Sequence, residues 1–370
     1  MTDQPTDPEQ LVRKLYEVRQ SFTLPDGELE FQIAYDGESK HKFVDLKSQV
    51  TPLGYRPELT GSMEECVLTL RKVVPTTKRL PRLPVFFALS TLGALAVSAL
   101  LQQEIYHDLV PSLSNYVTFF AFGVTVAVLL GVHELVQRLM ARKRDAGRAN
   151  SYLIPGIPII PPYLPTWGFA TTQRDPALNR DSLFDTLVAG PLAVLGLTIV
   201  LYAVGSLTAV QSTVAFSQTP LVNSTVTINP NVIQISIGTL LTPFVRSVPA
   251  GYLAVSPLVD AATIGFILVF LWLLPIASYD GGLMATAAWG PRAARAAGYL
   301  SVLALLVFDT YTYWAIAVIG LILVGRPFQL KLLDEVSPLS SSRRWLLVGM
   351  LVVAFLCLPI PKNLATFPLG

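Results

Sequence analysis

After residue 80, apolar residues form long blocks that are separated by short polar or proline-rich stretches. A helix of about 20 mainly apolar residues crosses a hydrocarbon layer about 30 Å thick. By that measure the sequence predicts an all-α polytopic membrane protein with about six or seven transmembrane helices, and a half-helix that enters the membrane at 281–290. The predicted spans are 84–102, 116–137, 184–208, 256–277, 293–308, 310–325 and 345–359.

The first 80 residues have a different pattern, because they are polar and carry charges of both signs. Two short alternating runs on either side of Asp36-Gly37 predict a β-hairpin. Before them, apolar residues recur at helical spacing and predict a helix. These residues are Leu11, Leu15, Val18 and Phe22.

The two patterns predict a soluble α+β domain over 1–80 and a membrane domain over 81–370 with its core at 116–282. A proline-rich basic linker, "VVPTTKRLPRLP", joins them at 73–84.

The segment "SYLIPGIPIIPPYLPTWGFATTQRD" at 151–175 is apolar but rich in proline, so it cannot form a regular helix. Lipid does not tolerate an exposed irregular backbone. We therefore expect a hairpin or re-entrant loop that packs on protein near the membrane surface.

Loop charges predict the orientation in the membrane. Basic residues cluster before the first predicted span, after the second and at 326–344, whereas 103–115 and 209–255 carry only Arg246. The positive-inside rule then places the N-terminal domain in the cytoplasm and the C-terminus outside.

Composition supports this class, since 52% of the 370 residues are hydrophobic and 14% are charged. The net charge of +2 predicts no nucleic-acid partner. The two cysteines are far apart, which argues against a disulfide framework and excludes a cysteine-rich zinc site. Any metal site must also be poor in imidazole, because there are only three histidines: His41, His107 and His133.

The stretch "GVHELVQRLMARKR" begins like the zinc-protease helix motif H-E-x-x-H, with Gln137 in place of the second histidine. His133 and Glu134 lie inside an apolar span, where an ionisable residue costs about 2.5–3.5 kcal/mol and indicates function. Positions 133 and 137 share one helix face. In the complete motif two imidazoles hold zinc and the glutamate activates a water molecule.

Asp280 is the third ionisable residue of interest. It follows the apolar run "FILVFLWLLPIASYDGG", in which Pro275 breaks the helix and the glycines allow the backbone to turn. The carboxylate can thus point back into the helix bundle, and carboxylates are common zinc ligands.

These features together resemble the site-2 protease family of intramembrane zinc metalloproteases, most closely its archaeal and chloroplast branch with a cytosolic or stromal N-terminal domain. The resemblance covers about 130 to 360. The segments that carry it are "HELVQRLMARKR", "IPGIPIIPPYLPTWGFATTQRD", "SLFDTLVAGPLAVLGL", "SPLVDAATIGFILVFLWLLPIASYDGG" and "KLLDEVSPLSSSRRWLLVGMLVVAFLCLPIP".

The resemblance implies hydrolysis of peptide bonds in transmembrane segments within the lipid bilayer. It makes Zn²⁺ the expected cofactor, His133 and Asp280 its ligands, Gln137 a further ligand position and Glu134 the general base. Residues 189–191 (Ala-Gly-Pro) would give close helix contact. The hairpin could hold the substrate as an added strand, and the implied substrate-binding residues are Thr166, Trp167, Gly168 and Phe169.

Three positions depart from the family pattern and keep alternatives open: Gln137, Trp272, and Ser256, which begins "SPL" where the family tends to have His-Pro. The Gln137 amide is a weaker zinc ligand than imidazole, and its presence should cost at least about 10–100-fold in metal affinity. Trp272 replaces an asparagine whose amide would stabilise the oxyanion, a term of about 2.7–4 kcal/mol. One hypothesis is a metalloprotease with weak or lost activity. Another is an inactive pseudoprotease that binds transmembrane segments as a chaperone or adaptor. His133, Gln137 and Asp280 then form either a weakened metal site or a metal-free hydrogen-bonded cluster.

Overall fold

The computed structural model describes most of the chain. The described residues are 7–25, 27–73, 82–147, 149–159, 164–213, 230–245, 254–276, 279–307, 312–324 and 330–360. Most of the predicted linker and residues 160–163 of the predicted hairpin segment lie outside them.

The N-terminal region is a four-stranded antiparallel sheet with two helices, which confirms a small α+β unit. The sheet has the strand order β1-β2-β4-β3. Phe31, Phe43 and Leu68 are among its fully buried residues. The elements are α1 (Pro8–Leu15), β1 (Val18–Thr23), β2 (Leu29–Ile33), α2 (Ser39–Val50), β3 (Tyr55–Gly61) and β4 (Cys66–Lys72).

Two local predictions in this region are wrong. The first helix ends at Leu15, and Val18 and Phe22 belong to β1, because strand pairing with β2 overrides their helical spacing. The run after Asp36-Gly37 forms α2 rather than a strand. The Ser39 hydroxyl accepts a hydrogen bond from the Asp36 backbone N–H at 2.8 Å, which supports a turn into the helix.

The remaining helices overlap all seven predicted spans. In the described part of the chain, three are long and apolar enough to cross a membrane: Leu83–Leu109, Asn115–Arg144 and Arg180–Leu207. A total of six or seven spans therefore stays a prediction. The helices are α3 (Arg82–Leu109), α4 (Asn115–Arg144), α5 (Arg180–Leu207), α6 (Val232–Leu241), α7 (Pro257–Leu273), α8 (Asp280–Leu306), α9 (Thr312–Val324) and α10 (Ser341–Cys357).

Helix α8 combines two predicted elements. The half-helix at 281–290 and the span at 293–308 are its two arms, which meet at a kink. Gly290 has φ +82° there, and Pro291 cannot donate a backbone hydrogen bond.

The predicted hairpin is present. Strands β5 (Ala149–Pro155) and β6 (Thr166–Gln173) pair antiparallel, and the Thr91 hydroxyl of α3 donates to the Leu153 carbonyl at 3.1 Å. Protein contacts thus satisfy part of the backbone of this apolar segment, while its place at the membrane surface stays a prediction. A short pair, β7 (Val210–Gln211) and β8 (Ala254–Val255), completes the strands described.

The N-terminal sheet is joined to the helical part by residues 331–335. The backbone N–H of Leu59, in the edge strand β3, donates to the Leu333 carbonyl at 2.6 Å. The same segment also bonds to the chain before α5: the Leu333 N–H donates to the Ala177 carbonyl at 2.8 Å, and the Asp334 N–H donates to the Leu178 carbonyl at 3.0 Å. Burial raises the pKa of the Asp334 carboxyl. Edge strand β3 is therefore partly covered, and the sheet packs beside the chain that leads into α5.

Candidate active site

His133 and Gln137 of the incomplete zinc motif meet Asp280 inside the helix bundle. Asp280 Oδ2 lies 2.9 Å from His133 Nε2 and 2.7 Å from Gln137 Nε2, whose amide donates to it. His133 and Asp280 are fully buried, and Gln137 is 6% exposed. Asp280 is 147 positions from His133 and 143 positions from Gln137 in the sequence, yet the three residues form one hydrogen-bonded cluster.

Asp280 reaches this cluster from the first turn of α8, which lies against the end of α7. Helix α7 ends at Leu273, Pro275 follows, and Asp280 begins α8. A carboxylate in the first turn of a helix is also favoured by the helix dipole. Gly281 is required next, since a Cβ atom there would lie 2.3 Å from the Leu273 carbonyl oxygen.

Aromatic rings enclose His133. Its imidazole stacks on Phe169 with centroids 5.2 Å apart, and the Trp272 ring lies 3.9 Å from it. Trp272 is fully buried, and it fits because Gly168, at φ +81°, has no side chain. A Cβ atom on Gly168 would be 2.3 Å from Trp272 Nε1.

Two buried ring nitrogens, His133 Nδ1 and Trp272 Nε1, have no hydrogen-bond partner among the described residues. Buried polar groups without partners are uncommon and often mark functional sites.

Glu134 lies beside the cluster but forms a separate interaction. Its Oε1 accepts a hydrogen bond from Arg138 Nε at 2.6 Å. Its Oε2 is buried without a hydrogen bond from any described residue, and the side chain is 16% exposed. One carboxylate oxygen is thus available to accept a proton from a water molecule, as the predicted general base requires.

Thr171 is a site residue that the sequence analysis missed. Its hydroxyl lies 3.4 Å from Asp280 Oδ1. Phe169 and Thr171 are two residues apart in β6 and point to the same face of the strand. That spacing is a signal in the sequence, but it gains meaning only once β6 is known to pass the cluster.

The four predicted substrate-binding residues lie at the start of β6, close to the cluster. Thr166 Oγ1 donates to the Ile154 carbonyl at 2.7 Å and accepts from the Gly168 N–H at 3.0 Å. The Trp167 carbonyl accepts from the Tyr279 hydroxyl at 2.9 Å. All four residues thus hold the local structure, Phe169 through its stack on His133, and their role in substrate binding stays a prediction.

The donor set fits a zinc ion incompletely. Catalytic zinc sites have three protein ligands, usually histidine, cysteine or carboxylate, and one open position. In the part of the chain described, no three His, Cys, Asp or Glu residues group closely enough to hold a metal. His133 and Asp280 supply two donors of the usual kind, and Gln137 supplies a neutral amide.

The fold and this site define a class: a membrane protein in which a His-Glu helix and a distant aspartate meet inside the bundle, as in an intramembrane metalloprotease. The chain matches Peptidase family M50, the site-2 protease family, over residues 121–308. The chain belongs to this family, which supports a zinc-metalloprotease-like function at the level of the family. Its apolar helices and its family make it an integral membrane protein.

Curated relatives of the chain are consistent with the family match, because they are named as probable zinc metalloproteases. The chain is 25% identical over 297 residues to the probable zinc metalloprotease EGY2, chloroplastic, of Oryza sativa subsp. indica, covering 75% of this chain and 50% of the relative. It is 24% identical over 314 residues to the protein of that name in Arabidopsis thaliana, covering 80% and 52%. The chain thus spans about half the length of the curated relatives it matches. No solved structure matches. These relatives support the chloroplast side of the predicted branch, and the archaeal side stays a prediction.

The close contact between α5 and α4 gives a test of the cluster's packing. A Cβ atom on Gly190 would lie 2.8 Å from Gln137 Cγ and 2.9 Å from His133 Nε2. We therefore expect Gly190→Ala to lower the free energy of unfolding by about 1–3 kcal/mol, as overpacked cores do. Thermal unfolding of the purified protein in detergent measures this.

Gly196→Ala in the same helix is the matched control, because nothing lies within 4 Å of its Cβ position. Alanine there should leave the protein equally or more stable, since it favours helix over glycine. Equal stability of Gly190→Ala and Gly196→Ala would contradict the close packing of α5 on the cluster.

Proposed function

We propose that the protein acts on transmembrane segments of other membrane proteins, at the His133–Gln137–Asp280 cluster, as a site-2-protease-family protein with reduced zinc affinity and weak peptidase activity. The observation that carries this proposal is the convergence of His133 and Asp280, fully buried and 2.9 Å apart, from α4 and α8. Two ionisable groups in an apolar bundle are costly, so their juxtaposition supports a functional site.

His133 Nε2 and the Asp280 carboxylate would hold the zinc ion, with the Gln137 amide oxygen as a weak third donor. A bound zinc ion supplies Lewis-acid chemistry. The protein's own contribution comes from Glu134, whose free Oε2 can accept a proton, and from Arg138, which orients that carboxylate through a 2.6 Å hydrogen bond. The buried aromatic rings of Phe169 and Trp272 exclude water from the imidazole.

The second candidate function, binding of transmembrane segments without cleavage, is favoured by a specific observation. Asp280 Oδ2 already has two polar neighbours, the Gln137 amide and His133 Nε2, so this carboxylate oxygen has hydrogen-bond partners without a metal. Trp272 also occupies the position where the family pattern has an asparagine. Such a protein would be a chaperone or adaptor that uses the same site.

The test uses the full chain in nanodiscs and a labelled synthetic transmembrane peptide, with zinc either supplied or chelated. Anisotropy measures binding and mass spectrometry measures cleavage. We expect the wild type to bind the peptide and to cleave it slowly, only when zinc is supplied. Glu134→Gln should abolish cleavage and leave binding unchanged. Glu104→Gln, the same change on an exposed residue of α3, should leave both unchanged.

Three outcomes would decide against the proposal. Failure of every transmembrane peptide to bind would overturn it. Fast cleavage by the wild type that persists after chelation would contradict the proposed reduction in zinc affinity. Binding without cleavage at any zinc concentration would establish the second candidate in its place.

A further inference from the structure

A cavity of about 750 Å³ lies between the N-terminal domain and the site. It is within the size range of ligand-binding pockets, about 300–1,000 Å³. We call it the vestibule. Its lining includes Lys47 and Arg56 of the N-terminal domain, together with Glu134 and Gln137 of α4 and Thr171 of β6. The vestibule therefore leads to the candidate active site itself.

The vestibule carries an excess of positive charge. Five cationic and three anionic side chains line it. Lys47 is paired with Asp145, and Arg138 is paired with Glu134. These two pairs neutralise part of the lining, and Arg56 is paired with Glu58 of its own strand. Asp175 is the third anion of the lining, and Arg142 and Arg174 have no ion pair among the described residues.

Arg142 and Arg174 are the cations that remain available. Both are exposed side chains of the lining, and neither has an ion pair or hydrogen bond within the described residues. Arg142 lies one helical turn after Arg138 on the same face of α4, while Arg174 follows the end of β6. Two guanidinium groups from different elements thus line one cavity, and guanidinium is the side chain that best recognises carboxylates.

The occupant that fits is a peptide rather than a lipid. A lipid headgroup would explain basic residues at a membrane surface, but not a cavity whose lining extends to Glu134 and Gln137. A transmembrane segment bound at the cluster continues into a flanking segment, and the vestibule is the space beside the cluster that can receive it. A peptide in that space would meet Arg142 and Arg174.

We propose that the vestibule selects partners that carry Asp or Glu residues directly next to their transmembrane segment. This inference rests on the proposed function and specifies its substrate class. With the predicted orientation, the vestibule lies on the cytoplasmic side, where most transmembrane segments are followed by Lys or Arg. A cationic vestibule repels those flanks and attracts acidic ones, so most competing membrane proteins are rejected by charge.

The experiment compares three synthetic peptides with the same transmembrane segment and a flank of Glu, Gln or Lys residues. The full chain is reconstituted in nanodiscs of zwitterionic lipid, so that anionic lipid does not compete. We expect the Glu flank to bind about tenfold more tightly than the Gln flank, as hydrogen bonds to charged groups allow. The Lys flank should bind most weakly. The preference should shrink as salt is raised, because salt screens exposed charges.

The double variant Arg142→Gln/Arg174→Gln should remove the preference and leave binding of the Gln-flanked peptide unchanged. Arg292→Gln/Arg295→Gln, two exposed arginines of α8 outside the vestibule, is the matched control and should keep the preference. Equal binding of all three peptides to the wild type would overturn this inference while leaving the proposed function intact. A preference that persists in the double variant would also overturn it. If no peptide binds, the proposed function fails, and the inference fails with it.

Discussion

Replacing Gln137 with histidine is expected to raise the zinc affinity of the protein by at least about 10–100-fold. Mutating a residue that only hydrogen-bonds to a metal ligand typically changes metal affinity by this factor, and a direct ligand should matter at least as much. The side chain at position 137 already points towards the carboxylate of Asp280, since its amide nitrogen lies 2.7 Å from Asp280 Oδ2. An imidazole there would complete a set of two histidines and one carboxylate, which is a common catalytic zinc set. The gain arises because imidazole is a better zinc ligand than a neutral amide.

The measurement is the zinc content of the purified full chain after dialysis against a weak chelator. We expect substoichiometric zinc in the wild type and close to one zinc per chain in Gln137→His. Gln102→His in α3 is the matched control, because it adds the same residue outside the cluster. Stoichiometric, tightly held zinc in the wild type, lost in Asp280→Ala, would show that the amide is an adequate ligand and contradict the prediction.

Much of the membrane part could be predicted from the sequence, because lipid constrains it strongly. Apolar blocks mark helices, and an ionisable residue within such a block is costly enough to need an explanation. His133 and Asp280 were therefore identifiable before their contact was known. Their convergence could be expected because Pro275 breaks the helix and the glycines after Asp280 allow the backbone to turn, so that Asp280 can point back into the bundle.

The N-terminal α+β region is harder to predict, because spacing alone does not separate short helices from strands. The spacing of Leu11, Leu15, Val18 and Phe22 is helical, yet Phe22 belongs to a strand that pairs with β2. Likewise Phe43, Leu46 and Val50 are buried on one face of α2, in a segment whose alternating pattern predicts a strand. In both cases contacts between elements decide the local structure.

The surroundings of the cluster could be predicted only in part. Thr171, Gly190 and Trp272 reach it from β6, α5 and α7. The sequence singles out Trp272 by its departure from the family pattern and Gly190 as a place of close helix contact, but it does not indicate which residues they contact, and it does not single out Thr171. The same holds for the partial cover of strand β3 by residues 331–335, which joins parts of the chain about 270 residues apart.

Trp272→Asn has the second large effect, and its consequences for stability and activity should be opposite. Trp272 is fully buried against His133 and Gly168. Replacing a buried tryptophan with a small residue costs about 3–5 kcal/mol. A side-chain amide at this position matches the family pattern and would stabilise the oxyanion, which is worth about 2.7–4 kcal/mol of activation free energy. We therefore expect a less stable protein with a faster chemical step.

The gain in activity should require a completed metal site, so the informative comparison is Gln137→His alone against Gln137→His/Trp272→Asn. The double variant should cleave a model transmembrane peptide about 10²–10³-fold faster, while its thermal midpoint falls. Gln137→His/Trp272→Phe is the control, because it keeps an aromatic ring against His133 but supplies no amide; its rate should stay at that of Gln137→His. If the asparagine variant unfolds at the assay temperature, the peptide rate is measured at a lower temperature where circular dichroism shows it folded. Equal rates for the asparagine and phenylalanine variants under those conditions would mean that position 272 does not face the scissile carbonyl, and that Trp272 serves only to pack the imidazole of His133.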